Sequence, residues 1–211
     1  MRILLVMALV LCTVGLQAAE RGQQKADSKQ VKVWNDFADK LLVMHKQIIS
    51  THEVKETTRM GGYRGNPDFY KEHTYHDAKT GQLLSRVQWE AQAPDKLHVL
   101  ELFMYDKKGR LDRDYTVAFL PGGRNAPMQT LVTLYNYNGK LKAFRNFDAS
   151  GETTYESCDG DLKGKYVQLS FEDYEIAELR NNKKGIAGSK EYKACFSAIP
   201  VEAGKVLPPT L

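Results

Sequence analysis

The strongest pattern along the chain has the period of a helix. Trp34, Phe37, Leu41, Met44 and Ile48 recur at steps of three and four, and Ala38, Leu42 and Ile49 widen the stripe. This spacing gathers the apolar side chains on one face and predicts an amphipathic helix from about Ser28 to Ile49. Asp27 stands where an N-cap belongs, with Gln30 three residues later in a capping-box arrangement. A stripe of that length needs a surface to cover.

The period then drops to two, which predicts strands. Phe69–His76 and Gln82–Ala91 flank the turn Asp77-Ala78-Lys79-Thr80-Gly81. Lys96–Tyr105 is apolar on both faces and reads as a central strand. Further strands are expected at Arg110–Leu120, Met128–Tyr137, Lys140–Phe147, Glu152–Cys158 and Lys165–Ser170. Asn138-Gly139 predicts a tight hairpin with positive φ at both corner positions. Phe171–Arg180 fits either a short helix capped from Ser170 with Asp173, or a strand. Tyr192, Ala194, Phe196 and Ala198 alternate as a last strand. Met60–Gly65 reads as a flexible glycine-rich loop, Asp159-Gly160-Asp161 as a turn, and Pro121–Pro127 as a longer loop.

A local pattern recurs at the turns: an aromatic residue followed by Asp or Asn, a short spacer, then Gly. Tyr105-Asp106-Lys107-Lys108-Gly109-Arg110-Leu111 and Phe147-Asp148-Ala149-Ser150-Gly151 are examples. The carboxylate or amide can accept from the backbone two residues on, and Gly takes the left-handed position. These turns resemble those of the YD-repeat proteins of bacterial cell surfaces, a likeness that hairpin geometry by itself accounts for.

The pattern predicts an α+β fold: an N-terminal amphipathic helix packed on a curved, mostly meander antiparallel β-sheet of about eight or nine strands. A partly closed barrel is the variant. One domain is expected over residues 27–200, after a disordered segment at 20–26 and before a C-terminal tail at 201–211.

Residues 1–19 change the picture. Arg2 precedes an apolar run from Ile3 to Leu16, and Leu16-Gln17-Ala18-Ala19 supplies small residues for a signal peptidase. The run is shorter than a membrane-spanning helix requires. Cleavage after Ala18 or Ala19 is expected, leaving a soluble periplasmic or secreted domain without a transmembrane anchor. Cys12 goes with the discarded segment, and Cys158 and Cys195 remain as an even pair. In an oxidising compartment that pair is expected to form a disulfide.

The formal charge is +4, and loss of Arg2 lowers it by one. The cations are scattered along the sequence and not gathered as in a nucleic-acid binder, so no nucleic-acid partner is expected. No cofactor or metal motif stands in the sequence. His73 and His76 are three apart on a strand and so point to opposite faces. Met60–Gly65 lacks the GK[ST] ending of a phosphate loop.

Four residues are candidates for binding or chemistry. Glu101 shares a strand face with Leu97, Val99, Phe103 and Tyr105, so it is a desolvated acid, an inward Glu paired with an Arg from a neighbouring strand, or a residue in a slightly different register. His45 sits at the edge of the helix's apolar stripe, as a general base over a cavity or as a rim histidine. Arg124 and Asn125 belong to the long loop, where a partner could be met.

Without a recognisable catalytic constellation, the first expectation is an exported, non-enzymatic binding or accessory protein of the cell envelope. Its partner would be an envelope protein or an apolar small molecule. An export segment, a leading helix and a long meander together resemble periplasmic lipoprotein carriers of the LolA type. That resemblance implies an apolar ligand held between helix and sheet. A hydrolase using Glu101 or His45 is the third expectation.

Overall fold

The computed structural model describes residues 28–121, 126–182, 185–204 and 207–208. Asp27, the export segment and residues 20–26 lie outside the described residues. The first element is α1 (Ser28–Thr51). Nine strands follow: β1 (Val54–Tyr63), β2 (Asn66–Asp77), β3 (Leu83–Glu90), β4 (Ala93–Tyr105), β5 (Leu111–Ala118), β6 (Gln129–Asn138), β7 (Leu141–Phe147), β8 (Thr153–Leu162) and β9 (Lys165–Glu172). The chain then forms α2 (Asp173–Asn181), a 3-10 turn (Ile186–Gly188) and α3 (Lys190–Phe196).

All nine strands belong to one antiparallel sheet in sequence order, from β1 at one edge to β9 at the other. The sheet is therefore an open meander, and the barrel variant does not form. Because every connection is a hairpin, local turn chemistry fixes most of the register. The expected Asp-to-Gly turns are present. Asp106 Oδ1 accepts from the backbone N–H of Lys108 at 2.8 Å and of Arg110 at 3.0 Å, and Gly109 has φ 75°. Asp77 and Asp148 organise their turns in the same way.

Strand alternation gives the sheet two unlike faces. On one, Leu100 and Leu102 of β4, Tyr115 and Val117 of β5, Val132 of β6 and Phe147 of β7 are buried together. Phe37, Ala38 and Leu41 of α1, Ile176 of α2, and Cys195 and Phe196 of α3 belong to the same cluster. Along the sheet, α1 lies closest to β4, β5 and β6, while α3 lies against β6 and β7. On the opposite face stand the intervening residues, among them Glu72, Arg86, Glu101, Asp114, Tyr135 and Phe144.

Five local expectations need correction. Met60–Tyr63 is the end of β1 and not a loop. As an exposed edge strand, β1 carries no apolar alternation to announce it. Its glycines allow close approach: a Cβ on Gly61 would stand 2.6 Å from the Tyr70 ring, and one on Gly62 2.0 Å from the Asn66 carbonyl oxygen.

Asp159-Gly160-Asp161 lies within β8, where a Cβ on Gly160 would meet the Lys140 carbonyl oxygen at 2.2 Å. The turn comes later, at Lys163-Gly164, with φ values of 55° and 86°. That double positive φ is the type I′ signature expected at Asn138-Gly139. There, Asn138 pairs with Leu141, the corner moves to Gly139-Lys140, and only Gly139 has positive φ.

The expected last strand is α3. Ser189 caps it, its hydroxyl oxygen accepting from the Tyr192 N–H at 3.1 Å. Tyr192, Cys195, Phe196 and Ile199 also fit a helical face, and that burial overrides the shorter alternation. In the undecided segment, β9 runs to Glu172 and α2 follows, its cap being Glu172 with Glu175 in place of Ser170 with Asp173. The Glu172 N–H donates to the Glu175 carboxylate at 2.8 Å.

The disulfide joins Cys158 of β8 to Cys195 of α3, both fully enclosed. Part of the expected tail is held in place. Thr153 Oγ1 donates to the Val201 carbonyl at 2.7 Å, and the Ala203 N–H donates to the Gly151 carbonyl at 3.1 Å.

Candidate binding site at the open face

Glu101 stands opposite Arg86 on β3 and Thr116 on β5. Its carboxylate accepts from Arg86 Nη1 at 2.9 Å, so the paired alternative holds. Arg86 also lies 3.9 Å from Glu72, whose other contacts are Arg59 Nε at 2.6 Å and Gln88 Nε2 at 2.7 Å. Four charges thus form a ladder across β1–β4. Burial raises the Glu101 pKa despite Arg86, with Asp114 and Glu72 adding to the rise. Burial also opposes the Glu72 charge, but the hydrogen bonds from Arg59 and Gln88, with the nearby charges of Arg59 and Arg86, outweigh it and hold that carboxyl below its usual range.

His45 is on the other side of the sheet. Its Nδ1 bonds to Ser85 Oγ at 3.0 Å, and its ring meets Tyr75 edge-on at 5.1 Å. Only 6 % of the residue is exposed. Burial, followed by Lys46, lowers its pKa and favours the neutral imidazole. Ser85 and Arg86 are successive residues on β3 and point to opposite faces, so the sheet separates His45 from Glu101. The two do not form a shared constellation. Arg124 and Asn125 lie outside the described residues. Among the described residues, no three His, Cys, Asp or Glu side chains converge as metal ligands would.

A shallow apolar recess involves none of these four. Its volume is about 290 Å³, and Tyr63, His98, Val99, Phe119, Leu120 and Met128 are among its lining residues. Three segments build it. The β1–β2 hairpin brings Tyr63, Phe69 and Tyr70 together, because Gly61 lets the Tyr70 ring lie flat over the strand. An irregularity between β3 and β4 places His98 beneath them, 3 % exposed, stacked on Tyr70 at 5.7 Å and edge-on to Phe69 at 5.1 Å. The β5–β6 connection supplies the rim: Phe119 N–H donates to the His98 carbonyl, and Met128 N–H to the Ala118 carbonyl, both at 2.8 Å.

Polarity in the recess is confined to its base, where the Tyr63 hydroxyl and His98 Nε2 hydrogen-bond to each other. Burial, then Tyr70, raises the Tyr63 pKa, so the phenol stays protonated. At the mouth, Tyr63 is 49 %, Leu120 52 % and Met128 55 % exposed. Chemically this is a receiver for an apolar group, with one phenol–imidazole pair beneath it. Sequence reading missed Tyr63 and His98. The available signal was Gly61-Gly62 beside three aromatic residues, which indicates close packing of rings on backbone.

A larger groove of about 540 Å³ lies between the β7–β8 turn, α2 and the C-terminal segment. It is polar, and Arg180 within it is committed to Thr153 Oγ1 at 2.6 Å and the Val201 carbonyl at 2.9 Å. No family model matches the chain, and no similar curated protein or solved structure was found for it.

Proposed function

We propose that the protein is an exported, non-enzymatic accessory protein of the cell envelope that binds an apolar portion of a protein partner at the Tyr63–Leu120–Met128 recess. In this reading α1 is seated on a curved sheet as a structural support. The observation that carries the proposal is the exposed apolar rim of Tyr63, Leu120 and Met128 around a shallow recess whose walls are half-buried and whose base is the buried His98. Large apolar side chains left half in water at one place mark a contact surface. The recess is near the lower limit for a small-molecule pocket, which suits one or two inserted side chains.

Export rests on the residues of Met1–Ala19 and on the Cys158–Cys195 bond, which favours an oxidising compartment. No helix among the described residues is long and apolar enough to cross a membrane. A carrier holding its ligand between helix and strands is the less favoured reading. Leu41, Leu100, Leu102 and Val132 already occupy that interface with no exposure.

Site-specific photo-crosslinking from position 128 in the exporting host tests the proposal. A discrete adduct is expected from 128, absent from exposed Tyr174 as the control position and lost when Leu120→Glu is added. Identical labelling from 128 and 174 would defeat the reading. Native mass spectrometry of residues 20–211 checks the carrier alternative, since extra mass released by denaturation would favour it.

A further inference from the structure

The same open face carries a second, chemically different surface at β6–β9. Tyr135 of β6, Phe144 of β7 and Tyr155 of β8 follow one another across the strands, with ring centroids 6.0 and 5.7 Å apart. All three are partly exposed. Their polar ends are fixed: the Tyr135 hydroxyl donates to Asp114 Oδ2 at 2.8 Å, and the Tyr155 hydroxyl lies 2.7 Å from Ser170 Oγ. Register places Ser157 opposite Phe144, Ser170 opposite Ser157, and Asn146 opposite Tyr155. Asn146 Oδ1, in the floor, has no hydrogen-bond partner among the described residues.

Two contrasts narrow what fits here. First, the aliphatic side chains of these strands, including Val132, Leu134, Leu141 and Val167, point to the other face, leaving Leu131 as the aliphatic exception. A surface for lipid or for an apolar protein segment would use such residues. This one combines rings with hydroxyls, amides and carboxylates. Second, the charges are unbalanced. Asp114, Asp159, Asp161 and Glu172 share the face with two cations, Lys142, which stands opposite Asp159 with its Nζ 5.6 Å from the Tyr135 ring centroid, and Arg110, which lies over Tyr137 at the far end of β6. Nucleic acid and anionic headgroups would be repelled, since phosphate binding needs clustered cations.

We infer that the Tyr135–Phe144–Tyr155 row is a binding site for an uncharged oligosaccharide. The C–H face of a pyranose packs on an aromatic ring, while its hydroxyls need the hydrogen-bonding groups found beside these rings. A carboxylate such as Asp159, exposed on β8, makes the stronger, charge-assisted acceptor for sugar hydroxyls. The ring centroids step by 6.0 and 5.7 Å, roughly one sugar unit each. Successive rings are tilted by 48° and 38°, which suits a twisted chain over a flat crystalline surface. The site is independent of the Tyr63–Met128 recess.

Calorimetry and amide NMR on residues 20–211, titrated with chitohexaose and separately with cellohexaose, test this. Binding of at least one is expected with a Kd on the order of 0.1 mM, with shifts confined to β6–β9. Phe144→Ala and Tyr155→Ala should each weaken it about tenfold or more, the loss typical of a truncated stacking ring. Tyr155→Phe, which keeps the ring, should stay within about threefold. Each variant is checked for a native-like amide spectrum. No binding of either sugar at about 5 mM would overturn the inference. So would binding that the folded Phe144→Ala variant leaves unchanged, or preferential binding of a decathymidylate strand.

Discussion

Arg145 and Glu156 face each other across β7 and β8, with Nε and Nη2 both 2.7 Å from the same carboxylate oxygen. Their side chains are 2 % and 1 % exposed. The pair also anchors the C-terminal helices: Arg145 Nη1 donates to the Ile199 carbonyl at 2.8 Å, and the Tyr192 hydroxyl donates to the other Glu156 oxygen at 2.8 Å. Removing one partner strands the other charge in the core. Glu156→Gln or Arg145→Met should therefore cost about 3–5 kcal/mol of unfolding free energy in urea. A joint Arg145→Met/Glu156→Leu change should cost markedly less than either single change. Amide exchange should rise first in α3 and at Ile199.

The Cys158–Cys195 bond closes a span of 37 residues that includes β9 and α2. In the chain-entropy model its removal costs about 4 kcal/mol. Cys158→Ala/Cys195→Ala should show this in the same urea titration. The loss should be less than additive with Glu156→Gln, since both release α3 from β7 and β8.

Much of this fold is legible in the sequence where the period of the pattern matches burial on one side. The Trp34–Ile48 stripe predicts α1, and alternation around Leu84–Glu90 and Lys140–Phe147 predicts strands that exist. The method fails where burial does not follow the period. Residues of β1 are almost all exposed, so its strand was hidden, and with it the Gly61–Tyr70 packing that shapes the recess. In α3 seven residues are too few to separate a period of two from one of 3.6, and the disulfide to β8 decides. Glu101 reads from the sequence as an inward residue among apolar neighbours, yet it stands on the face opposite the core beside Arg86, because register, including the shift at Gln88–Trp89 that turns Leu97 toward the core, is not written in a local pattern. Tyr63 meets His98 across 35 positions, beyond any local pattern.

Gly62 and Gly65 stand at the same hairpin and predict opposite outcomes. A Cβ on Gly62 would lie 2.0 Å from the Asn66 carbonyl oxygen and 2.7 Å from Pro67, whereas one on Gly65 meets nothing within 4 Å. Gly62→Ala should open the β1–β2 turn and lower stability by roughly 1–3 kcal/mol, as overpacking against backbone does. Gly65→Ala should change it by less than about 0.5 kcal/mol. Tyr63 and His98 resonances should move in the first variant and stay in the second, because that turn carries Tyr63 into the recess.

His45 gives the fold a pH dependence of definite sign. Burial, then Lys46, lowers its pKa below 6.5, opposed by Glu56 and reinforced by His73. The folded state thus prefers the neutral ring, while the unfolded chain takes up a proton near the ordinary value. The stability this provides is complete above about pH 6.5 and declines as pH falls from there through the lowered folded-state value. Below that value no further loss comes from this residue. The slope is bounded by one proton, about 1.4 kcal/mol per pH unit. Glu56 and His73, joined at 2.6 Å across β1 and β2, act on His45 and are left unchanged in the comparison. Urea titrations between pH 8 and pH 5 should show the decline in the wild-type chain. His45→Gln should reduce it, at the cost of some stability at pH 8 from the altered bond to Ser85. An unchanged slope in that variant would remove His45 as the source of the dependence.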